Sequence, residues 1–211
     1  MSILSQLPRT VFFYRDFRGF SGGHLKVWDY YNHVRASPLY VPHISFTKET
    51  HWDESNPWLG ITGQELEVYQ AEHSDVLFLA GFDWWRLTES QRTHSANPII
   101  NLIQGLTHSD PADTRSEFLK LKAIRICVST QIRDAIEASH NVNGPLYVIP
   151  NGIDHSLIPA PSNHFDRPVD LLVVAVKQPQ LGHQLTSRLQ LEGLRIKLLT
   201  EFLPQIGRAH V

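Results

Sequence analysis

The chain has 211 residues, 19 Lys+Arg against 21 Asp+Glu and a formal charge of −2, a balance that argues against wrapping nucleic acid or coating an anionic membrane. With 42% hydrophobic and 19% charged residues, 12 Gly and 13 Pro, it has the composition of a globular protein with a buried core, which excludes intrinsic disorder. One cysteine, Cys127, excludes an internal disulfide framework and a multi-cysteine zinc site, and fits a reducing, cytoplasmic setting.

The first residues lack the apolar stretch of about 7–15 residues that marks a signal peptide, and no apolar run approaches the ~20 residues of a membrane span. Thr10–Tyr14 is a short aromatic and β-branched run, the pattern of a strand buried on both faces of a parallel sheet. The glycine-punctuated segment Arg18–His24 follows, and Leu25, Trp28, Tyr31 and Val34 then fall at helical spacing. Further apolar runs at 39–46, 75–81, 98–105, 123–129 and 145–150 read as strands, and 84–92, 115–121 and 130–139 have the composition and length of helices. This alternation predicts a Rossmann-like, doubly wound parallel α/β sheet.

Past Pro150 turn formers and prolines dominate. The expected organisation is a first domain over 1–155, a linker over 156–168, an α/β unit cut short over 169–205, and a non-native tail over 206–211. In the second unit 169–176 and 194–199 read as strands around a helix at 180–191, a set that cannot cover its own faces.

Several residue sets carry chemistry. Ser21-Gly22-Gly23 sits between the first strand and the first helix, where glycines let a phosphate approach backbone N–H groups at the positive end of a helix; a glycine there also serves merely to make a tight turn. The spacing is not GxGxxG, and no GxxxxGK[ST] exists, which disfavours a dinucleotide oxidoreductase and a P-loop NTPase. The twelve histidines are never closer than eight positions, so no HxH or HxxxH metal pair is present and no metal site is expected. Beyond strand ends, where open α/β sheets bind ligands, lie Arg15, Asp16, Asp83, Trp84, Trp85, Gln104 and His108. The polar, aromatic segment 51–58 reads as a binding loop or a solvated one.

Phe17–His24, Cys127–Gln131 and the strand-ending Ile149-Pro-Asn-Gly-Ile-Asp154, in that order, resemble the GT-B glycosyltransferases of the large retaining family numbered four, also described as group 1. The resemblance spans the first domain. It implies two Rossmann-like domains around a cleft, an acceptor site on the first and a nucleotide-sugar site mainly on the second. By the same resemblance Gly22 and Gly23 would lie on the donor diphosphate. Lys177 would stand where the family has an arginine, keeping the charge and losing the bidentate fork. Arg15, Asp16, Asp83, Trp84 and Gln104 would face the acceptor, His108 would be the catalytic histidine, and Asn151, Gly152 and Asp154 would form the interdomain hinge. The implied activity is a metal-independent, retaining hexosyltransferase with no cofactor beyond its nucleotide-diphosphate sugar co-substrate and a carbohydrate or other hydroxyl acceptor. The chain itself, lacking most donor-binding residues, is expected to be inactive. The alternative is a non-catalytic α/β module that binds a nucleotide or a sugar.

Overall fold

The computed structural model describes residues 8–61, 71–152 and 168–201. The chain divides into two compact units, residues 1–152 and 153–211. The first contains a six-stranded, all-parallel sheet built from β1 (Arg9–Arg15), β2 (Tyr40–Phe46), β3 (Val76–Ala80), β4 (Ile99–Ile103), β5 (Ile124–Cys127) and β6 (Leu146–Val148), in the order β2-β1-β3-β4-β5-β6. Its helices are α1 (Gly22–Ala36), α2 (Glu89–His94) and α3 (Thr130–Ala138). This is the α/β Rossmann-like architecture expected from the alternating runs.

Side chains leave a strand alternately to its two faces, and β1 shows what that does here. Val11 and Phe13 pack with Phe78, Ala80 and Leu102 under Val27, Trp28 and Tyr31 of α1. Phe12 points the other way and joins Leu77, Leu79, Trp84, Leu87 and Phe118. A third cluster sets Ile103 and Cys127 against Ile132 and Ile136 of α3. With both faces covered, the strands need no polar alternation, which explains why they read as continuous apolar runs. Phe13 is wholly buried, stacked on Phe78 with ring centroids 4.8 Å apart; truncating such a residue to Ala costs about 3–5 kcal/mol. Pro42 is tolerated because β2 is an edge strand.

Two segments expected as helices are built differently. Residues 84–92 are divided between a 3-10 turn, Gly81–Arg86, and α2, which starts afresh at Thr88: its hydroxyl accepts from the Gln91 N–H, and the Gln91 side chain accepts from the Thr88 N–H. Residues 115–121 belong to a second 3-10 turn, Thr114–Lys120. Helix α1 begins earlier than expected, at Gly22, because Ser21 takes the N-cap and its hydroxyl accepts from the His24 N–H.

Arg125 reads as an interruption in an apolar strand, yet it is fully buried. It donates to five carbonyls: Ala123 and Asn143 at 3.0 and 2.7 Å, Phe118, Leu119 and Leu121 at 2.8, 2.8 and 2.6 Å. Burial lowers its pKa to about 10, which leaves it charged at neutral pH. Carbonyl oxygens, not a carboxylate, hold that charge.

The second unit has β7 (Leu171–Val174), α4 (Pro179–Gln190) and β8 (Ile196–Leu199), with β7 and β8 paired in parallel. Leu172, Val174, Leu181, Leu185 and Leu191 are exposed. Close packing within it centres on Gly182, where a Cβ would lie 2.2 Å from the Ala175 Cβ. Among the described residues no helix is long and apolar enough to cross a membrane.

Candidate functional site

The chain runs from β1 outward to β2, then returns to the other side of β1 as β3. Where strand order reverses in this way, the loops leaving the carboxyl ends of the two strands diverge and leave a crevice. A cavity of about 410 Å³ occupies that place, lined from β1 by Arg15 and Asp16, from the start of α1 by Ser21, Gly23 and His24, and from the end of β3 by residues 80–83, with Gln104 after β4 and Arg115 closing it.

Its floor is a buried ion pair, Arg15 Nη2 with Asp83 Oδ2. The same carboxylate oxygen accepts from the Ala80 N–H at 2.8 Å, and Arg15 Nε donates to its neighbour's carbonyl at Tyr14. Asp83 is therefore what turns the chain sharply at the end of β3, aided by Gly81, whose φ of +57° lies in the left-handed region. Burial pushes the Asp83 carboxyl above its usual range, against the pull of Arg15.

Asp16 is different. It accepts from the Arg18 Nε at 3.0 Å and the Thr47 hydroxyl at 2.8 Å. Its pKa falls below the ordinary carboxylate value, chiefly through the hydrogen bond from Arg18, so the cavity carries one ionised carboxylate at its rim. His24 packs against Phe17 with ring centroids 5.0 Å apart, and its Nδ1 is buried without a hydrogen-bond partner. Burial first, and then the nearby Arg15, push its pKa down to about 4; the ring is neutral at pH 7.

The first turn of α1 faces this cavity through Gly23. The N–H groups of Gly22 and Gly23 are first-turn donors that no carbonyl of the helix can take. Nothing lies within 4 Å of where a Gly22 side chain would start, and a Cβ on Gly23 would meet only Gln104 and Ser21 side-chain atoms at ordinary contact distances. Gln104 Nε2 donates to the Gly23 carbonyl at 3.2 Å.

Of the residues singled out from sequence, Arg15, Asp16, Gly23, Asp83 and Gln104 therefore converge on one cavity. Trp84 does not join them. It is wholly buried, stacked on Phe118 at 5.8 Å, because the 3-10 turn directs it into the core, and the aromatic that lines the cavity is Phe82, half-exposed with the Arg115 guanidinium 5.1 Å from its ring centroid. Trp85 is exposed and meets Phe118 edge-on. His108 is also buried and does not line the cavity; its Nδ1 is 3.3 Å from the Gly105 carbonyl, and burial lowers its pKa. Cys127 is a free, buried thiol.

The segment 51–58 is a folded turn. Asn56 Nδ2 donates to the His51 carbonyl at 2.7 Å, and Trp58 is buried against Phe17, Trp28 and Phe46. Asn151 and Gly152 are exposed where the first unit ends; Asp154, most of the expected linker and the tail 206–211 lie outside the described residues. Lys177 belongs to the second unit, in a largely apolar cavity of about 520 Å³ with Val173, Val176, Leu181 and Leu185.

Phe82, Arg115 and His24 were not among the residues picked out as contacts. His24 had a signal: it follows directly on the glycine pair in the first turn of a helix. Arg115 had none, since it arrives from a turn remote in sequence. Among the described residues no three His, Cys, Asp or Glu side chains converge as a metal site would require. Compared with protein-family models and with curated proteins, the chain matches none.

Proposed function

We propose that this chain is the acceptor-side part of a glycosyltransferase of the retaining GT-B type, which takes a nucleotide-diphosphate sugar as donor and needs no metal ion. One observation carries the reading: the N-terminus of α1 meets the switch-point cavity through Ser21 and Gly23, though not Gly22, beside an ionised carboxylate, Asp16. Backbone N–H groups at such a terminus stabilise the negative charge that grows on a departing diphosphate, and they need no reorganisation to do so. Asp16 is placed to accept a hydrogen bond from an acceptor hydroxyl, and the half-exposed Phe82 ring offers an apolar face to a sugar. The buried Arg15–Asp83 pair acts beneath both, by fixing the chain at the ends of β1 and β3.

A non-catalytic nucleotide- or sugar-binding module is the second reading, favoured by His108, which is buried away from the cavity and so supplies no proton-transfer group there. Calorimetric titration with UDP-glucose and GDP-mannose, paired with a product assay over a panel of sugar acceptors, separates the two. Product formation, or donor binding without product that Gly23→Val abolishes, supports the transferase reading, and binding that Gly23→Val leaves unchanged supports the module. Absence of any donor or sugar binding removes both.

A further inference from the structure

The opposite edge of the same sheet carries a second cavity. We propose that it binds a small organic anion, a carboxylate on a short alkyl chain. The loops that feed β4, β5 and β6 enclose about 320 Å³ between residues 92–99, 122–124 and 143–145, within the range of small-molecule sites.

Its chemistry is one-sided. Arg92 and Lys122 are the only ionisable residues that line it, and no carboxylate does. Among the described residues neither takes part in an ion pair. The Arg92 guanidinium is stacked over Trp85, 5.2 Å from the ring centroid, while its Nε is shielded from water without a hydrogen-bond partner. A buried donor left unmatched in this way is uncommon in a folded protein. The two asparagines on the wall each commit one Nδ2 hydrogen to a carbonyl, of Ser74 and of Lys120, and the two positive charges are the strongest groups left to recognise a ligand.

The rest of the wall is apolar. Ile124 belongs to a strand with neighbours on both sides, yet 37% of it stays exposed, and Pro98, Ile99, Ala123 and Pro145 continue the surface. The shape is fixed in advance. Gly144 has a φ of +119°, and a Cβ there would lie 2.1 Å from the Ala123 carbonyl oxygen, so the two backbones are in direct apposition. The Ala123 N–H donates to the Asn143 carbonyl at 3.1 Å. A preformed, largely apolar cavity with a planar guanidinium on its wall suits a carboxylate with an alkyl tail, since the fork can pair with two oxygens while the tail covers Ile124.

The test is an amide NMR titration of the whole chain with sodium hexanoate, against 1-hexanol and inorganic phosphate. Saturable shifts confined to residues 92–99, 122–125 and 143–146 are expected with hexanoate, with hexanol and phosphate each at least tenfold weaker. Arg92→Gln should weaken hexanoate at least tenfold, since the bidentate, charge-assisted pair is lost, and the surface variant Lys122→Gln should weaken it severalfold. Equal affinity for hexanol would reduce the cavity to an apolar crevice, tighter phosphate binding would make it a bare anion patch, and unchanged affinity in both variants would remove the charges from the argument. Each of these overturns the proposal, as does the absence of saturable shifts.

Discussion

Gln104, the residue that follows β4, donates from Nε2 to the carbonyl oxygen of Gly23 at 3.2 Å. It thereby holds the first turn of α1 over the carboxyl edge of a strand two places away in the sheet. Removing that donor deletes the tie and leaves the Gly23 carbonyl with its intrahelical bond alone. Gln104→Leu should lower stability by about 0.5–1.5 kcal/mol, read as a shift in the urea midpoint. Under the proposed function it should also weaken nucleotide-sugar binding severalfold.

Gly23→Val separates space from fold. The nearest atoms to a Cβ at this position belong to the Gln104 and Ser21 side chains, at 3.7 Å, so the variant should keep its circular dichroism and lose little stability, since Val forms helix no worse than Gly. A phosphate approaching the backbone would meet the new methyl groups. Donor affinity by calorimetry should fall at least tenfold, and unchanged affinity would remove the helix N-terminus from the proposed site.

The chain should become less stable in mild acid because of His24. Its folded pKa lies at about 4, below the ordinary 6.5, so between those values the unfolded chain binds a proton that the folded chain refuses. The His24 contribution therefore falls as pH drops from 6.5 toward 4 and levels out below that, where protonation of Asp16, held ionised by Arg18, adds a separate loss. Denaturant unfolding across this window should show the slope, and His24→Gln should flatten it. Part of the slope should persist, because burial lowers the pKa of His108 in the same direction.

Arg125→Lys tests whether charge or geometry matters in the core. Five carbonyls accept from the guanidinium, and an ammonium has only three donors. At least two of the five charge-assisted bonds are lost, at about 1.5–3 kcal/mol each. A fall in Tm of roughly 10 °C is expected; a fall of a degree or two would mean that water replaces the lost donors.

Strands were legible because the sheet is covered on both faces, which lets β1, β3 and β4 announce themselves as unbroken apolar runs. Residues 81–86 and 114–120 were not legible as 3-10 turns. The first is imposed by a contact remote in sequence, Asp83 meeting Arg15, and the second by a charged side chain hidden in the next strand, Arg125 reaching the carbonyls at 118, 119 and 121. The capping box Thr88-Glu-Ser-Gln91 was in plain view and marks where the single expected helix breaks. The cavity was half-readable by a rule of topology, which placed Arg15, Asp16, Asp83 and Gln104 beyond strand ends. That rule cannot tell which neighbour of Asp83 turns inward, and so it favoured Trp84 over Phe82.

The parallel sheet also governs how the molecule comes into being. Asp75 accepts hydrogen bonds from the Thr10 N–H and hydroxyl across 65 positions, and β1 gains its second neighbour only when β3 exists. No pair in this sheet is a hairpin that could close as soon as it is made. At a synthesis rate of about 5–20 residues per second, β1 waits roughly 3–13 s with one edge unpaired. Val11, Phe12 and Phe13, buried in the finished core, are during that interval an exposed apolar strand, and a chaperone that masks such strands has a target there.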